Sequence, residues 1–540
     1  MTMRTRTDVL LLAGFCAFLF FYGSGRFGLI GADEPRYAQV AREMLDRHDW
    51  ITPTLGGQPW LEKPPLYYWQ AMLAYSVLNV SDVAARVPSA IDATLLVIAV
   101  YLFFRRFRPG AELDAALITA SCAGIIGYSR AASMDMALAA TFSIAMLAWW
   151  AWRETDKRLY LTLFYVFIAL GMLAKGPVAP FLVLVMLMLF AAMTKEWRRV
   201  LKTIWLPGIF LFCLIALPWY FAVQLRNPEF FREFILEHNL ARFSSDLYHH
   251  RQPVWYYLPV TLLAIVPWTV FVIAAVVERI RLWWKERNFP EPDLQLEFGV
   301  FTCLWLVVPV VFFSVSQSKL PGYILPAIPA ATVLLADYLR EHLERERDQT
   351  ETVSKSLAVL HAIVAAAPIV PALLVSYLVT EHRLLPGRPM LIALAIAFVL
   401  CVAIALTLVS RSQLRMLRFI TLIPVVLAVA AVLKLGTTAI DQKLSVRPLA
   451  WELANLEAHR LPLVVYGVPR EVEYGLAFYR NQKIDHYEPG HIPKVEHLLV
   501  APVTWKDNVL KETTGRRISF LFNDAPQGLD CYWVSAEKKP

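Results

Sequence analysis

The sequence predicts a polytopic, all-α membrane protein that ends in a small α/β domain. Three observations carry this prediction. Hydrophobic residues make up 57% of the 540, and the mean hydropathy is +0.49, whereas soluble domains run at roughly 45–50% apolar. The apolar residues fall in long blocks from residue 8 to about residue 435, each near the ~20 residues a membrane span needs. Basic residues recur in short runs after every second block, which gives the chain an inner and an outer side.

In order, the blocks predict spans near 8–25, 84–104, 113–129, 134–152, 159–174, 177–193, 203–224, 254–277, 298–315, 322–338, 356–380, 390–410 and 416–435, about 13 in all. Arg4 and Arg6 precede the first, and no small-residue cleavage site follows it, so it reads as an uncleaved span. The basic runs are Arg105-Arg106-Arg108, Arg153-Lys157-Arg158, Lys195-Arg198-Arg199-Lys202, Arg279-Arg281-Lys285-Arg287, Arg340-Arg345-Arg347 and Arg411-Arg415-Arg418. An odd number of spans then places the C-terminal tail outside. The expected division is a membrane domain over 1–440 and an outer α/β domain over 441–540.

The formal charge of +8 sits in these loop clusters, so nucleic acid is not an expected partner. Of six cysteines, Cys16, Cys122, Cys213, Cys303 and Cys401 lie in apolar blocks, where cysteine behaves as a small hydrophobe. Only Cys531 lies in the tail, so no disulfide can form within it. In the tail, Leu461–Gly467 and His497–Ala501 read as strands, and Arg447–Arg460 and Glu473–Arg480 as helices.

The outer side holds a long first loop, 26–83, short loops near Ser129–Asp135, Lys175–Pro177 and Ser316–Tyr323, and a second long loop, 225–253. The first loop opens with Gly31-Ala32-Asp33-Glu34-Pro35-Arg36-Tyr37. Pro35 suits the first turn of a helix, and Asp33 falls at or near its N-cap. A capped interfacial helix accounts for this stretch, with Glu34 and Arg36 paired in solvent. So does a catalytic carboxylate, since a positive neighbour favours its ionised form. Further on, Leu61-Glu62-Lys63-Pro64-Pro65-Leu66-Tyr67-Tyr68-Trp69 reads as a short helix with an interfacial aromatic face. Lys63 there suits a lipid phosphate or plain interfacial anchoring.

Ser316-Gln317-Ser318-Lys319-Leu320-Pro321-Gly322-Tyr323 breaks the helix and presents Lys319 and Tyr323. Irregular chain at membrane depth is tolerated where it lines a cavity. Lys175 is a second outward lysine. Arg130 and Asp135 bracket a third loop, and an aspartate at a span end needs a partner or a function. His238, Arg242, His249 and His250 bring cationic groups to the second long loop. A histidine with Glu62 or Asp33 would suit a divalent cation, although no His-x-x-x-His spacing is present. There is no Walker loop, dinucleotide fingerprint or serine elbow. A transporter would place charges mid-span and show inverted repeats. Here ionisable residues fall at span ends and no repeat is found.

Asp33-Glu34-Pro35-Arg36-Tyr37, Leu61-Glu62-Lys63-Pro64-Pro65-Leu66-Tyr67-Tyr68-Trp69 and Ser318-Lys319-Leu320-Pro321-Gly322-Tyr323-Ile324-Leu325-Pro326 resemble motifs of the bacterial lipid A aminoarabinose transferases. Those are GT-C glycosyltransferases, related to the protein O-mannosyltransferases. The resemblance covers nearly the whole chain, and its motifs are less specific to the sugar than to the superfamily. It implies inverting transfer of 4-amino-4-deoxy-L-arabinose from undecaprenyl phosphate to a lipid A phosphate, by a monomer on the periplasmic face of the bacterial inner membrane. It implies Asp33 as the catalytic carboxylate, with Arg36, Lys63 and Tyr323 at the donor phosphate and Lys319 close by. Glu34, Tyr37, Tyr67, Asp135, His238 and Arg242 complete the expected substrate contacts, and Glu62 is carried over as a contact for a divalent metal. A protein or glycan hydroxyl as acceptor is the alternative, and lipid transport a more distant one.

Overall fold

The computed structural model describes residues 3–234, 252–286, 293–347, 354–379, 388–411, 416–457, 459–487 and 492–537. It is mostly helical, with a two-stranded hairpin in the first loop and a five-stranded sheet near the C-terminus. The first nine helices are α1 (Met3–Cys16), α2 (Asp33–Asp46), α3 (Leu66–Leu78), α4 (Asp82–Phe107), α5 (Glu112–Ser121), α6 (Ala123–Ser129), α7 (Met134–Thr155), α8 (Arg158–Lys175) and α9 (Val178–Thr194). Later helices are given by their bounds.

All thirteen expected segments are helical, but not all are straight spans. Among the described residues, nine helices are long and apolar enough to cross a membrane, or ten if one bent pair is counted. The chain is a multi-pass membrane protein. The expected span 113–129 is broken into α5 and α6 at Cys122, whose backbone is extended. The expected span 254–277 turns by 114° between Val254–Ala264 and Thr269–Lys285, where Pro267 has no N–H to continue a helix. The two breaks satisfy each other. Ala123 N–H donates to Val266 O at 2.8 Å, and Trp268 Nε1 to Ser121 Oγ at 2.8 Å. Backbone groups freed at membrane depth need such partners.

The bundle core is heavily aromatic. Trp149 and Trp150 of α7 meet Phe190 of α9 edge-on and pack against Phe298 and Phe301 of the helix Leu294–Val315, with Trp149 stacked on Phe301. Peripheral helices turn large apolar side chains outward, among them Leu206, Phe210, Phe221 and Leu225 of Leu206–Arg226, as lipid contact requires.

Four of the basic runs meet at one end. Arg108 pairs with Glu154 at 2.9 Å and Asp337 at 3.5 Å, Arg279 with Asp337 at 3.1 Å and Glu341 at 2.6 Å, Arg340 with Asp337 at 3.1 Å, and Arg153 with Glu297. The first loop and the short loops lie at the other end. Not every ionisable group sits at a helix end, however. Asp92 is buried ten residues into α4, about 15 Å along it, where Gln70 of α3 donates to it at 2.9 Å.

The first loop has its own core. On α2, Tyr37, Ala38, Ala41 and Met44 share one buried face, at the spacing an amphipathic helix demands. They pack on Tyr67, Tyr68, Ala71, Met72 and Tyr75 of α3 and on Phe478 from the C-terminal region. Between α2 and α3, β1 (Thr54–Leu55) and β2 (Gln58–Pro59) form a hairpin whose Gly56 and Gly57 both have positive φ, as a tight hairpin turn needs. Glu43 of α2 accepts from both glycine N–H groups, at 2.8 and 3.1 Å. The aromatic face expected at a membrane interface is instead core: Tyr67 and Tyr68 are fully buried. Asp33 is the first residue of α2 rather than its cap; Ala32 occupies the N-cap and supplies no side-chain bond.

The last membrane helix runs over Leu417–Leu444, past residue 440, and Arg447–Leu456 follows. The sheet order is β4-β3-β5-β7-β6, from β3 (Leu463–Val465), β4 (Asp485–His486), β5 (His497–Pro502), β6 (Ile518–Asp524) and β7 (Leu529–Val534). Pairing is parallel around β3 and antiparallel around β7. The helix Arg470–Arg480 lies against α2 and places this unit beside the first loop.

Candidate active site

The first turn of α2 carries three charges with different fates. Asp33 is 51% exposed and receives Arg36 Nη2 at 2.5 Å. Arg36 is mostly buried, and its Nη1 lies 3.8 Å from Glu62 Oε2. Burial alone would lower the Arg36 pKa, but Tyr37, Glu62 and Asp33 outweigh it and hold the guanidinium above its usual value. The Tyr37 hydroxyl receives a bond from Arg36 at 3.3 Å. Burial first, then the Asp33 charge, pushes that hydroxyl well above the ordinary tyrosine value, so Tyr37 remains a neutral donor.

Glu34 faces the other way. Both its oxygens are taken up by Arg86 of α4, at 2.6 and 3.2 Å, and by the backbone N–H groups of Ile30 at 2.8 Å and Ala132 at 2.7 Å. Arg86 uses its remaining donors on the carbonyls of Ser24, Phe27 and Gly28. The expected solvent pair of Glu34 with Arg36 is therefore corrected: a sealed pair locks the first loop to α4 and to the loop before α7. Tyr67 is corrected likewise. Its hydroxyl donates to Ala85 O at 2.9 Å inside the loop core, and it is fully buried. Neither group has room to touch a substrate.

A second cluster forms where α7, α8 and the loop before Pro321–Ala327 meet. Asp135 pairs with Lys175 and accepts from Ser133 Oγ at 2.8 Å. The Lys175 ammonium also sits 4.3 Å over the Tyr323 ring. Gly322 makes this approach possible: a Cβ there would lie 2.6 Å from Asp135 Oδ2 and 2.8 Å from the Tyr128 ring. Lys319, expected to be presented to the outside, is folded inward. It is buried and donates to Ser316 O at 2.5 Å, while Tyr257 OH accepts from Leu320 N–H at 3.1 Å to fix the loop.

Lys63 and Tyr128 connect the clusters. Lys63 is half-buried and close enough to act on the Asp135 carboxylate. The Tyr128 hydroxyl lies within electrostatic reach of Asp135, Asp33 and Tyr323. One site thus holds Asp33, Arg36, Tyr37, Glu62, Lys63, Asp135, Lys175 and Tyr323, while Lys319 braces the loop behind it. Arg36, Lys63 and Lys175 give it three cationic groups within a short span, donors that suit an anionic ligand. The half-exposed Asp33 is the carboxylate open to a reacting group. Glu62 faces Arg36, and among the described residues no three His, Cys, Asp or Glu side chains gather as a metal site. His238 and Arg242 lie outside the described residues, as do His249 and His250.

Sequence reading missed Arg86, although an arginine within an apolar span is itself a signal. It also missed Trp60 and Tyr474, whose rings flank Arg36 at 5.3 and 5.8 Å. Nothing in the local sequence marks Tyr474, which reaches the site from more than four hundred residues away. Arg130, a bracket in the sequence, donates to the carbonyls of Leu19 and Tyr22 and holds the end of the first span.

A family model described as dolichyl-phosphate-mannose-protein mannosyltransferase matches residues 7–232. Among relatives, an undecaprenyl phosphate-alpha-4-amino-4-deoxy-L-arabinose arabinosyl transferase of Pseudomonas savastanoi pv. phaseolicola is 30% identical over 73% of this chain and 72% of its own length. The corresponding enzyme of Pseudomonas paraeruginosa is 31% identical over 63% of this chain, and the match spans 61% of that relative's length. Among solved structures, ArnT from Cupriavidus metallidurans, crystallised with undecaprenyl phosphate, superposes with a TM-score of 0.76 over 97% of both chains, at 22% identity. An oligosaccharyltransferase of Archaeoglobus fulgidus gives 0.51 over 98% of this chain and 74% of its own, at 12% identity. The structural matches establish a shared GT-C fold.

Proposed function

Because this chain belongs to the family of undecaprenyl phosphate 4-amino-4-deoxy-L-arabinose arabinosyl transferases, we propose that it moves that aminopentose from undecaprenyl phosphate to a phosphate of lipid A. The reaction takes place on the periplasmic face of the inner membrane. The chain up to the end of the last membrane helix at Leu444, rather than 440, forms the catalytic membrane domain, and the remainder a periplasmic unit. The supporting observation is the site itself: Asp33 with Arg36, Lys63 and Lys175, gathered at the end of the bundle opposite the basic loop clusters.

A polyprenyl phosphate leaves as an anion, so the catalyst must hold developing negative charge. Arg36 and Lys63 supply the positive charge beside Tyr323, Lys319 braces the loop that carries Tyr323, and Asp135 fixes the Lys175 ammonium. Preorganised charges of this kind cost no reorganisation during reaction. A lipid A phosphate is already anionic and needs no base. Asp33 then orients the sugar through its amine, or stabilises positive charge at the sugar carbon. Attack from the face opposite the leaving phosphate inverts that carbon.

The mannosyltransferase family match favours a second reading, transfer to a protein or glycan hydroxyl. There Asp33 takes the acceptor proton. Membranes carrying Asp33→Asn, supplied with polyprenyl-linked aminoarabinose and lipid A, test the leading reading. Transfer is expected to fall by about 10²-fold or more. Undiminished transfer by a normally expressed variant rejects the role of Asp33.

A further inference from the structure

The Arg36 guanidinium is ringed by three aromatic faces from three separate segments. Tyr37 of its own helix lies 5.0 Å away, Trp60 of the hairpin region 5.3 Å, and Tyr474 of the C-terminal helix Arg470–Arg480 5.8 Å. Asp33 and Glu62 occupy two edges of the group. Its Nε is buried and has no hydrogen-bond partner among the described residues, so the rings and the two carboxylates are what hold the group. Two of the rings come with the first loop. The third comes from beyond the last membrane helix.

That third ring is held firmly in place. Phe478, one turn on, is buried in the first-loop core with Tyr37 and Ala41. Arg42 of α2 donates to Phe478 O at 3.1 Å. The Tyr479 hydroxyl donates to Asp82 at 2.6 Å and accepts from Leu29 N–H at 2.6 Å. Arg447 pairs with the same Asp82 at 2.8 Å and donates to Gly25 O at 3.0 Å. Gly28 fits beneath this knot only because it lacks a Cβ, which would lie 2.5 Å from Tyr479 Oη.

We propose that Tyr474 is a positioning residue for sugar transfer: the C-terminal unit completes the donor-phosphate site by fixing the plane of Arg36. The inference rests on the reading of Arg36 as a phosphate contact and adds the unit that aims it. A cation held between ring faces keeps its orientation when carboxylates alone would let it swing.

The experiment uses the full chain in detergent, with undecaprenyl-phosphate-linked aminoarabinose and lipid A, and measures KM for each substrate. Tyr474→Ala is expected to raise the donor KM about five- to thirty-fold, the range of a partly desolvated cation–π contact, and to leave the acceptor KM unchanged. Tyr474→Phe keeps the ring face and stays within about twofold of wild type. Tyr474→Leu keeps bulk without a ring and follows Ala, which guards against a mere packing effect. In an Arg36→Ala background, Tyr474→Ala adds nothing. Equal changes in both KM values, a Leu variant that behaves as wild type, or additivity with Arg36→Ala overturns the proposal. If Arg36→Ala itself leaves the donor KM untouched, the phosphate reading of the site fails. If Arg36→Ala raises it and Tyr474→Ala does not, only the present inference fails.

Discussion

The sealed pair between Glu34 and Arg86 separates scaffold from chemistry most sharply, because Glu34 stands next to Asp33 in the chain. Glu34 is 6% exposed and Arg86 1%. Removing one partner of a buried ion pair leaves an uncompensated charge and costs about 3–5 kcal/mol. Arg86 also serves three carbonyls, each bond contributing about 0.5–1.5 kcal/mol net. Arg86→Met should therefore cost about 5–9 kcal/mol, a large part of the ~5–15 kcal/mol that holds a typical domain. Glu34→Gln should cost about 3–5 kcal/mol. With both positions changed, the loss should fall short of the sum by about 3 kcal/mol, since the two share one interaction. Unfolding of the purified chain, followed by tryptophan fluorescence, reads these differences. Transfer assayed at low temperature, where Glu34→Gln stays folded, should remain within a few-fold of wild type. A Glu34→Gln protein that unfolds like wild type yet loses transfer would refute the argument and make Glu34 a substrate contact.

Three other outcomes follow from the geometry. Gly322→Ala would drive a methyl into Asp135 and Tyr128; a shift near 1 Å at a reacting centre costs about 10²-fold, so transfer should collapse while the membrane domain still folds, as a melting curve and an activity assay together show. Lys175→Met leaves the Asp135 carboxylate to Ser133 and the more distant Lys63 and should lose about 1–3 kcal/mol of stability; adding Asp135→Asn should restore the stability but not the transfer, and restored transfer would make the pair purely structural. In the C-terminal unit, burial and then Glu452 raise the Asp524 pKa to about 6 from an ordinary 3.8. The folded state holds that proton more tightly, so its contribution is full below pH 3.8 and lost as pH rises through about 6. Asp524→Asn should melt like wild type near pH 4 and above it near pH 7.5, and an identical pH profile for the two proteins would contradict this.

Much of the scaffold was legible because bilayer physics writes it in long apolar runs. All thirteen segments are helical, and four of the basic runs meet at one end. Legibility failed where two segments solve a problem together. The break at Cys122 and the bend near Pro267 exchange a backbone bond, and neither run shows it alone. In the tail, β3 and β5 announced themselves through aliphatic runs. The strands β6 and β7 rely on cross-strand pairs such as Phe520 with Tyr532, which a single run cannot reveal. In the site, Asp33, Arg36 and Lys63 stood out because charge beside proline and aromatics at a span end needs a reason. Tyr67 misled because aromatics at an interface and aromatics in a small core look alike in sequence. Lys175 was underrated because its partner, Asp135, lies on a different helix. Tyr474 was invisible, since its role exists only once the C-terminal unit is seated on α2.

The outer-end cluster is proposed to act as an aminopentose transferase with lipid A as acceptor. Mass spectrometry of lipid A tests that directly, in cells that lack the gene, carry it, or carry Asp33→Asn. The predicted spectrum shows an added aminopentose with the wild-type gene alone. The same lipid A mass in all three strains, or the aminopentose retained with Asp33→Asn, would contradict it.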